Sequence, residues 1–316
     1  MDVPIIIAIG VCAVIAALLI FVTVFFFRMA FYSKPDRDHS DAAMLDMRIK
    51  QIPFAEDKFR AGFDWFSRAE KERFSIRSRD GLTLWGEFIP HADSRGIIAM
   101  FHGYRSTAHA DFSAIAEDFY AMGFSLFLPD QRAHGQSEGR YITFGAKERY
   151  DCAEWITELN RRFGAETPIF LDGISMGCTT VLAATGLELP ANVRGVIADC
   201  GFTSPAREIA HFTKDWLRAP KFPIYYLVAL AARVRAGFSL KAFDTEKILE
   251  KCNIPVLFVH GTADKLVPVE MTKRNFEACA APKRLVLVEG ADHGESYLID
   301  KDQCGAELID FLETYG

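Results

Sequence analysis

Residues 3–27 contain no charged side chain, and at about 1.5 Å per residue such a run crosses a hydrocarbon core of about 30 Å as one helix. Residues 30–71 instead mix charge with isolated apolar positions such as Met44, Leu45, Met47, Phe59, Phe63, Trp65 and Phe66. That spacing predicts a linker of short amphipathic helices. From residue 72 onward, short apolar runs alternate with longer helical patterns. Residues 73–76 and 82–88 flank an Asp80-Gly81 turn and predict an opening hairpin. Residues 96–101, 125–128, 169–171, 193–198, 256–259 and 285–288 are compact apolar runs, as expected of strands buried on both faces. Between them, residues 112–122, 147–163 and 272–281 have the length and spacing of helices. The alternation predicts an α/β fold with a mostly parallel sheet and helices on both faces. Functional groups are then expected at the carboxyl ends of the strands.

One stretch breaks the alternation. Residues 205–253 carry helical patterning, Pro220 and Pro223, and an apolar run at 224–232 ended by Arg233 and Arg235. Nine apolar residues are too few to span a bilayer, so a helical insertion capping the site is expected. The plainer alternative is one long crossover, which the usual brevity of connections disfavours. The chain therefore divides into an anchor at 1–29, a linker at 30–71, and a main domain at 72–316 with the cap at 205–253.

A cleaved signal peptide competes with the anchor. Such peptides carry a basic start and an apolar stretch of only about 7–15 residues, whereas Asp2 is the sole charge before this longer run. An uncleaved single pass in the cell membrane is expected. Arg28, Lys34 and Arg37 follow the span, which favours a cytoplasmic main domain.

At 316 residues the chain has room for one large domain with appendages. Its formal charge of -6 has no basic stripe, so nucleic acid is excluded as an expected partner. Seven cysteines show neither a C-x-x-C pair nor zinc-site Cys/His spacing. Free thiols are expected, and no metal.

The candidate chemistry centres on Gly173-Ile174-Ser175-Met176-Gly177, a G-x-S-x-G elbow directly after a predicted strand and before a helical run. Glycines at 173 and 177 remove Cβ atoms that would collide with neighbouring strand and helix. A serine hydroxyl needs a base to take its proton and a third group to hold that base. His293 follows the run at 285–288, and Asp264 follows the run at 256–259, so both fall at strand ends. Asp199 is an alternative acid. Asp292 adjoins His293 too closely in sequence to reach its ring readily. His39 and His91 precede or open loops away from strand ends, and His109, His211 and His260 lack a surrounding motif; all five are expected at the surface or in packing. Backbone donors for a developing oxyanion are expected from Met176 and, after the strand at 96–101, from Tyr104, with Gly103 permitting the bend. His102 is expected to hold that loop through hydrogen bonds rather than act as a base.

Together, His102-Gly103-Tyr104-Arg105, Asp130-Gln131-Arg132-Ala133-His134-Gly135-Gln136-Ser137, the elbow, Gly261-Thr262-Ala263-Asp264 and Asp292-His293-Gly294 make the chain resemble the α/β-hydrolase superfamily, across about residues 72–316. The likeness extends to bacterial esterase-like and peptidase-S9-like members with an N-terminal membrane segment. The order serine, acid, histidine is that of the α/β-hydrolase fold. The resemblance implies that Arg132, His134 and Ser137 brace the floor of the site. It further implies two-step acyl transfer without a cofactor. A small or lipid-like carboxylic ester is the expected substrate, because an aromatic-rich cap suits an apolar acyl pocket and the anchor keeps the chain near lipids. A peptidase or acyltransferase using the same triad is the alternative enzyme, and a non-catalytic membrane-tethered binding protein the alternative of another class. Asp172, just before the elbow, has no role that the pattern supplies.

Overall fold

A computed structural model describes residues 3–33, 40–216 and 222–316. Lys34, Arg37, His39 and Pro220 lie outside the described residues. The chain opens with helix α1 (Val3–Phe31), then α2 (Asp41–Gln51) and α3 (Glu56–Arg68). Eight strands follow: β1 (Glu72–Arg77), β2 (Thr83–Ile89), β3 (Ile97–Phe101), β4 (Ser125–Pro129), β5 (Ile169–Ile174), β6 (Val193–Asp199), β7 (Val256–Gly261) and β8 (Lys283–Val288). They form one sheet in the order β1-β2-β4-β3-β5-β6-β7-β8. Only β2 runs against its neighbours, β1 and β4; β3 through β8 are parallel. Every strand run expected from the sequence is found, because continuous apolar runs are what a sheet covered on both faces requires; the run at 285–288 differs in forming β8, an edge strand that is only half-buried.

The connecting helices are α4 (Ala108–Phe112), α5 (Ala116–Ala121), α6 (Glu148–Phe163), α7 (Met176–Ala184), α8 (Pro205–His211), α9 (Ile224–Ala231), α10 (Thr245–Leu249), α11 (Val269–Ala278), α12 (Ser296–Ile299) and α13 (Lys301–Tyr315). Helices α6 and α7 cover one face, where Trp155, Leu159 and Val181 pack on Phe127, Leu171 and Phe258. The other face is covered by α4, α5 and α13, through Phe112, Phe119 and Phe311. The single helix expected at 112–122 is instead two, broken at residues 113–115. Helix α3 presses on this break, and a Cβ on Gly62 would stand 1.6 Å from Ser113 O.

A third apolar cluster lies over the carboxyl ends of the strands and joins Phe144, Met176 and Phe202 to Tyr225, Val228 and Phe238. It also holds Phe27 and Phe31, the two buried residues of α1. Helix α1 is long and apolar enough to cross a membrane. The expected linker helices are present, but they are seated on the main domain. Leu45, Ile49 and Phe59 share a cluster with Ala114. Arg48 of α2 donates to Gly294 O at 3.0 Å. His109 of α4 ion-pairs with Asp41 at 2.6 Å and with Glu87 at 2.9 Å.

Candidate active site

The elbow forms as its spacing predicts. Ser175, between β5 and α7, has φ 56° and ψ −116°, a left-handed backbone that a non-glycine residue adopts only under constraint. Its N–H donates to Asp199 O at 2.9 Å, tying the turn to the end of β6. A Cβ on Gly177 would stand 1.8 Å from Phe101 O, and one on Gly173 2.5 Å from the Gly177 carbonyl. Both glycines are therefore demanded by close backbone approach.

Two loops bring the other groups to this serine. The imidazole of His293, beyond β8, has Nε2 2.9 Å from Ser175 Oγ and Nδ1 2.7 Å from Asp264 Oδ2. The other carboxylate oxygen of Asp264 accepts the amides of Leu266 and Val267, each at 2.8 Å. Burial alone would raise the pKa of Asp264, but hydrogen bonds from His260 and His293 outweigh it and hold the carboxyl well below its usual range. Asp292 shapes the loop instead of touching the ring: it accepts the His293 amide at 2.9 Å and pairs with Lys265 at 2.8 Å. Both ring nitrogens of His293 are thus engaged, which leaves Asp199 none. Asp199 is half-buried, and the desolvation of its carboxyl raises it to about 6.

His260 corrects the sequence reading. Far from being a residue of mere packing, it is fully buried at the end of β7, with Nε2 3.0 Å from Asp264 Oδ2 and Nδ1 2.7 Å from Thr272 Oγ1. The available signal was a polar ring closing an otherwise apolar strand that points at the site. His109 is likewise an ion-paired group rather than a surface one. Cys200 Sγ lies 4.0 Å from His293 Nε2. With Asp264 and His293 it offers three ligand atoms within 4.8 Å of one another. The imidazole nitrogens, however, already serve the serine and the carboxylate.

The loop after β3 stands beside the serine, since a Cβ on Gly103 would lie 3.4 Å from Ser175 Cβ. His102 is buried; its Nδ1 meets Gly103 O at 2.8 Å and its Nε2 accepts from the Gln131 amide at 3.1 Å. Asp111, which the sequence did not single out, accepts the Gly103 amide at 2.7 Å and the Ser106 hydroxyl at 2.7 Å. His134 Nε2 accepts the Arg105 amide at 2.9 Å, and Arg132 makes a two-point pair with Asp151 at 2.6 and 2.7 Å. Ser137 donates to Asp130 O at 2.6 Å. Met176 opens α7, where the first helical amides have no partner within their own helix.

The same loop grips the end of α1. Tyr104 Oη donates to Ala30 O at 2.8 Å, and Arg105 Nη2 donates to Met29 O at 2.7 Å and Tyr32 O at 3.1 Å. These donors satisfy carbonyls that a helix terminus leaves open.

Two cavities meet at Ser175. One, of about 270 Å³, is mostly apolar, with Met29, Phe144, Phe202, Ile209 and Phe212 in its wall and Glu208 as its buried acid. Burial lifts Glu208 to about 8, and its Oε2 has no hydrogen-bond partner among the described residues. The other, of about 120 Å³, runs between α2 (Met44, Met47, Arg48) and the Ser175–His293 pair. Asp172 is buried behind the elbow, where desolvation raises its pKa strongly.

Residues 92–228 match the family described as serine aminopeptidase, S33, and residues 240–315 the family described as TAP-like protein. Among relatives, YqkD of Bacillus subtilis is 26% identical over 252 residues, covering 80% of this chain and 82% of that protein. YfhR of Escherichia coli K12 is 23% identical over 271 residues, covering 82% and 85%. An esterase of Pyrococcus furiosus superposes with a TM-score of 0.64 at 21% identity, covering 78% of this chain and 93% of its own. Acetyl xylan esterase 1 of Thermoanaerobacterium superposes with a TM-score of 0.56 at 15% identity, covering 83% and 93%. These solved structures share the fold of this chain.

Proposed function

The chain belongs to the α/β-hydrolase superfamily, and from that premise we propose that it is a serine hydrolase cleaving carboxylic esters through an acyl-enzyme. The observation that carries this reading is the hydrogen-bonded succession Ser175 Oγ, His293 Nε2, His293 Nδ1, Asp264 Oδ2, at 2.9 and 2.7 Å. In it, Asp264 holds the proton on Nδ1, so Nε2 is free to take the proton of Ser175 as Oγ attacks the ester carbonyl. The amides of Tyr104 and Met176 receive the negative charge that develops on the carbonyl oxygen. His293 then returns the proton to the departing alkoxide, and water activated by the same imidazole releases the acid.

The apolar cavity of about 270 Å³ suits the acyl chain, and the narrower one beside α2 suits the alcohol. Residues 1–29 serve as a single-pass anchor in the cell membrane, residues 205–253 as the cap of a catalytic domain at 72–316, and that domain faces the cytoplasm. Glu208 gives a second reading its one specific support: an acid beside the serine also suits the amine of a peptide, as a peptidase requires. Ester and aminoacyl-amide substrates offered to the same preparation separate the two. Replacing Ser175 with alanine tests both against a non-catalytic tethered protein. Loss of p-nitrophenyl ester turnover with unchanged folding is expected, and retained turnover contradicts the nucleophile.

A further inference from the structure

The segment after the undescribed residues carries a stripe that the domain does not use. Phe222, Tyr226, Leu230 and Val234 are 76, 57, 57 and 71% exposed. Tyr226 and Leu230 lie one turn apart on α9, with Phe222 in the turn before it and Val234 in the π-helical turn Ala232–Ala236 after it, so one short continuous segment carries all four. The opposite side, with Tyr225, Val228, Ala232 and Ala236, is buried in the cluster that also holds Phe27 and Phe31 of α1. Four large apolar side chains on one face are more than scattered surface exposure and call for a cover.

Helix α1 indicates what that cover is. Its 29 residues extend about 43 Å, while a hydrocarbon core of about 30 Å takes only about 20 of them. The remaining turns are the C-terminal ones, and these pack on α9 through Phe27 and Phe31. The stripe therefore stands beside α1 where that helix leaves the hydrocarbon. Arg28, Arg233 and Arg235 are exposed in the same region, as suits side chains whose stems lie along apolar surface and whose heads reach lipid phosphates. The apolar cavity at Ser175 has Met29 and Ala30 of α1 in its wall, so its outer side is this same corner.

We propose that residues 222–236 form a second membrane contact, lying in the interfacial layer beside α1, and that the site draws acyl esters from that layer. The substrate half rests on the serine-esterase reading; the contact half rests only on the reading of α1 as a membrane anchor.

The test uses the full chain in nanodiscs of phosphatidylcholine and phosphatidylglycerol. Cys12 is the one exposed thiol of the seven, so Cys12→Ala provides the background for a nitroxide at Leu230→Cys. A second label at Asp93→Cys, exposed where the amino ends of the parallel strands lie, serves as reference. The label at 230 is expected to collide preferentially with oxygen, and the label at 93 with a water-soluble nickel chelate. Equal chelate access at both positions overturns the contact, as does dipolar broadening at 230, which would mean that a second copy covers the stripe.

The triple variant Tyr226→Ser, Leu230→Ser, Val234→Ser tests the substrate half. Turnover of soluble p-nitrophenyl acetate should stay near wild type, while turnover of a bilayer-borne fluorogenic acyl ester should fall by about tenfold as the apolar contact is lost. Unchanged lipid-ester turnover overturns that half. A wild-type chain inert toward both esters counts against the esterase reading and leaves the labelling result standing by itself.

Discussion

His260 and His293 share one carboxylate oxygen: His293 Nδ1 lies 2.7 Å from Asp264 Oδ2, and His260 Nε2 lies 3.0 Å from the same atom. Two ring donors and two backbone amides thus surround a single buried acid, which holds it ionised and in one orientation. His260 touches no substrate in this arrangement; it positions the acid.

Replacing His260 with phenylalanine should therefore lower kcat and leave KM nearly unchanged. Loss of a charge-assisted hydrogen bond of about 2 kcal/mol corresponds to roughly thirtyfold in rate. His260→Gln, which keeps a donor, should recover part of it. Steady-state kinetics check this, and a rise in KM with kcat preserved would assign His260 to packing alone.

Glu208 makes the acyl pocket sensitive to alkali. Burial raises its carboxyl to about 8, so the acid is neutral below that pH and charged above it. An apolar acyl chain should accordingly bind less well as the pH passes about 8, with KM rising for hexanoate esters. In Glu208→Gln that rise should vanish, and activity at pH 7 should change little. If the variant instead loses hydrolysis of aminoacyl amides that the wild type cleaves, the peptidase reading takes over.

His109 ties the linker helix to the domain in a pH-dependent way. Burial opposes its protonation, but the ion pairs with Asp41 and Glu87 outweigh burial and raise it to about 9. The folded value exceeds the ordinary one of about 6.5, so this stabilisation is complete below about pH 6.5 and is lost as pH rises through about 9. Both partners lie below their ordinary values, so their contribution is lost only on the acid side. Hydrogen exchange of α2 should consequently accelerate between pH 7 and about pH 9.5, after correction for intrinsic rates, and His109→Gln should be fast and flat across that range.

The parts of this protein that the sequence revealed are those written locally. Five apolar runs became buried strands and the sixth the half-buried edge strand β8, and the glycines of the elbow stand where a Cβ would meet backbone at 1.8 and 2.5 Å. Ser175, Asp264 and His293 each follow a strand run, and topology alone brings strand ends together. What stayed hidden depends on contacts between distant segments. Nothing near Tyr104 and Arg105 announces that they grip carbonyls at Met29 and Ala30, more than 70 residues earlier. Helix α13 escaped notice because its buried residues, Cys304, Leu308, Phe311 and Leu312, are interleaved with charge. His260 and Asp111 carry no motif, and only the folded positions of Asp264 and Gly103 give them partners.

The central claim is that His293, oriented by Asp264, activates Ser175. Labelling the full chain with a fluorophosphonate and mapping the adduct by tandem mass spectrometry tests it most directly. One adduct on Ser175 is expected, strongly reduced in His293→Ala and Asp264→Asn. An adduct on another residue, or labelling of Ser175 at an unchanged rate without the imidazole, contradicts it.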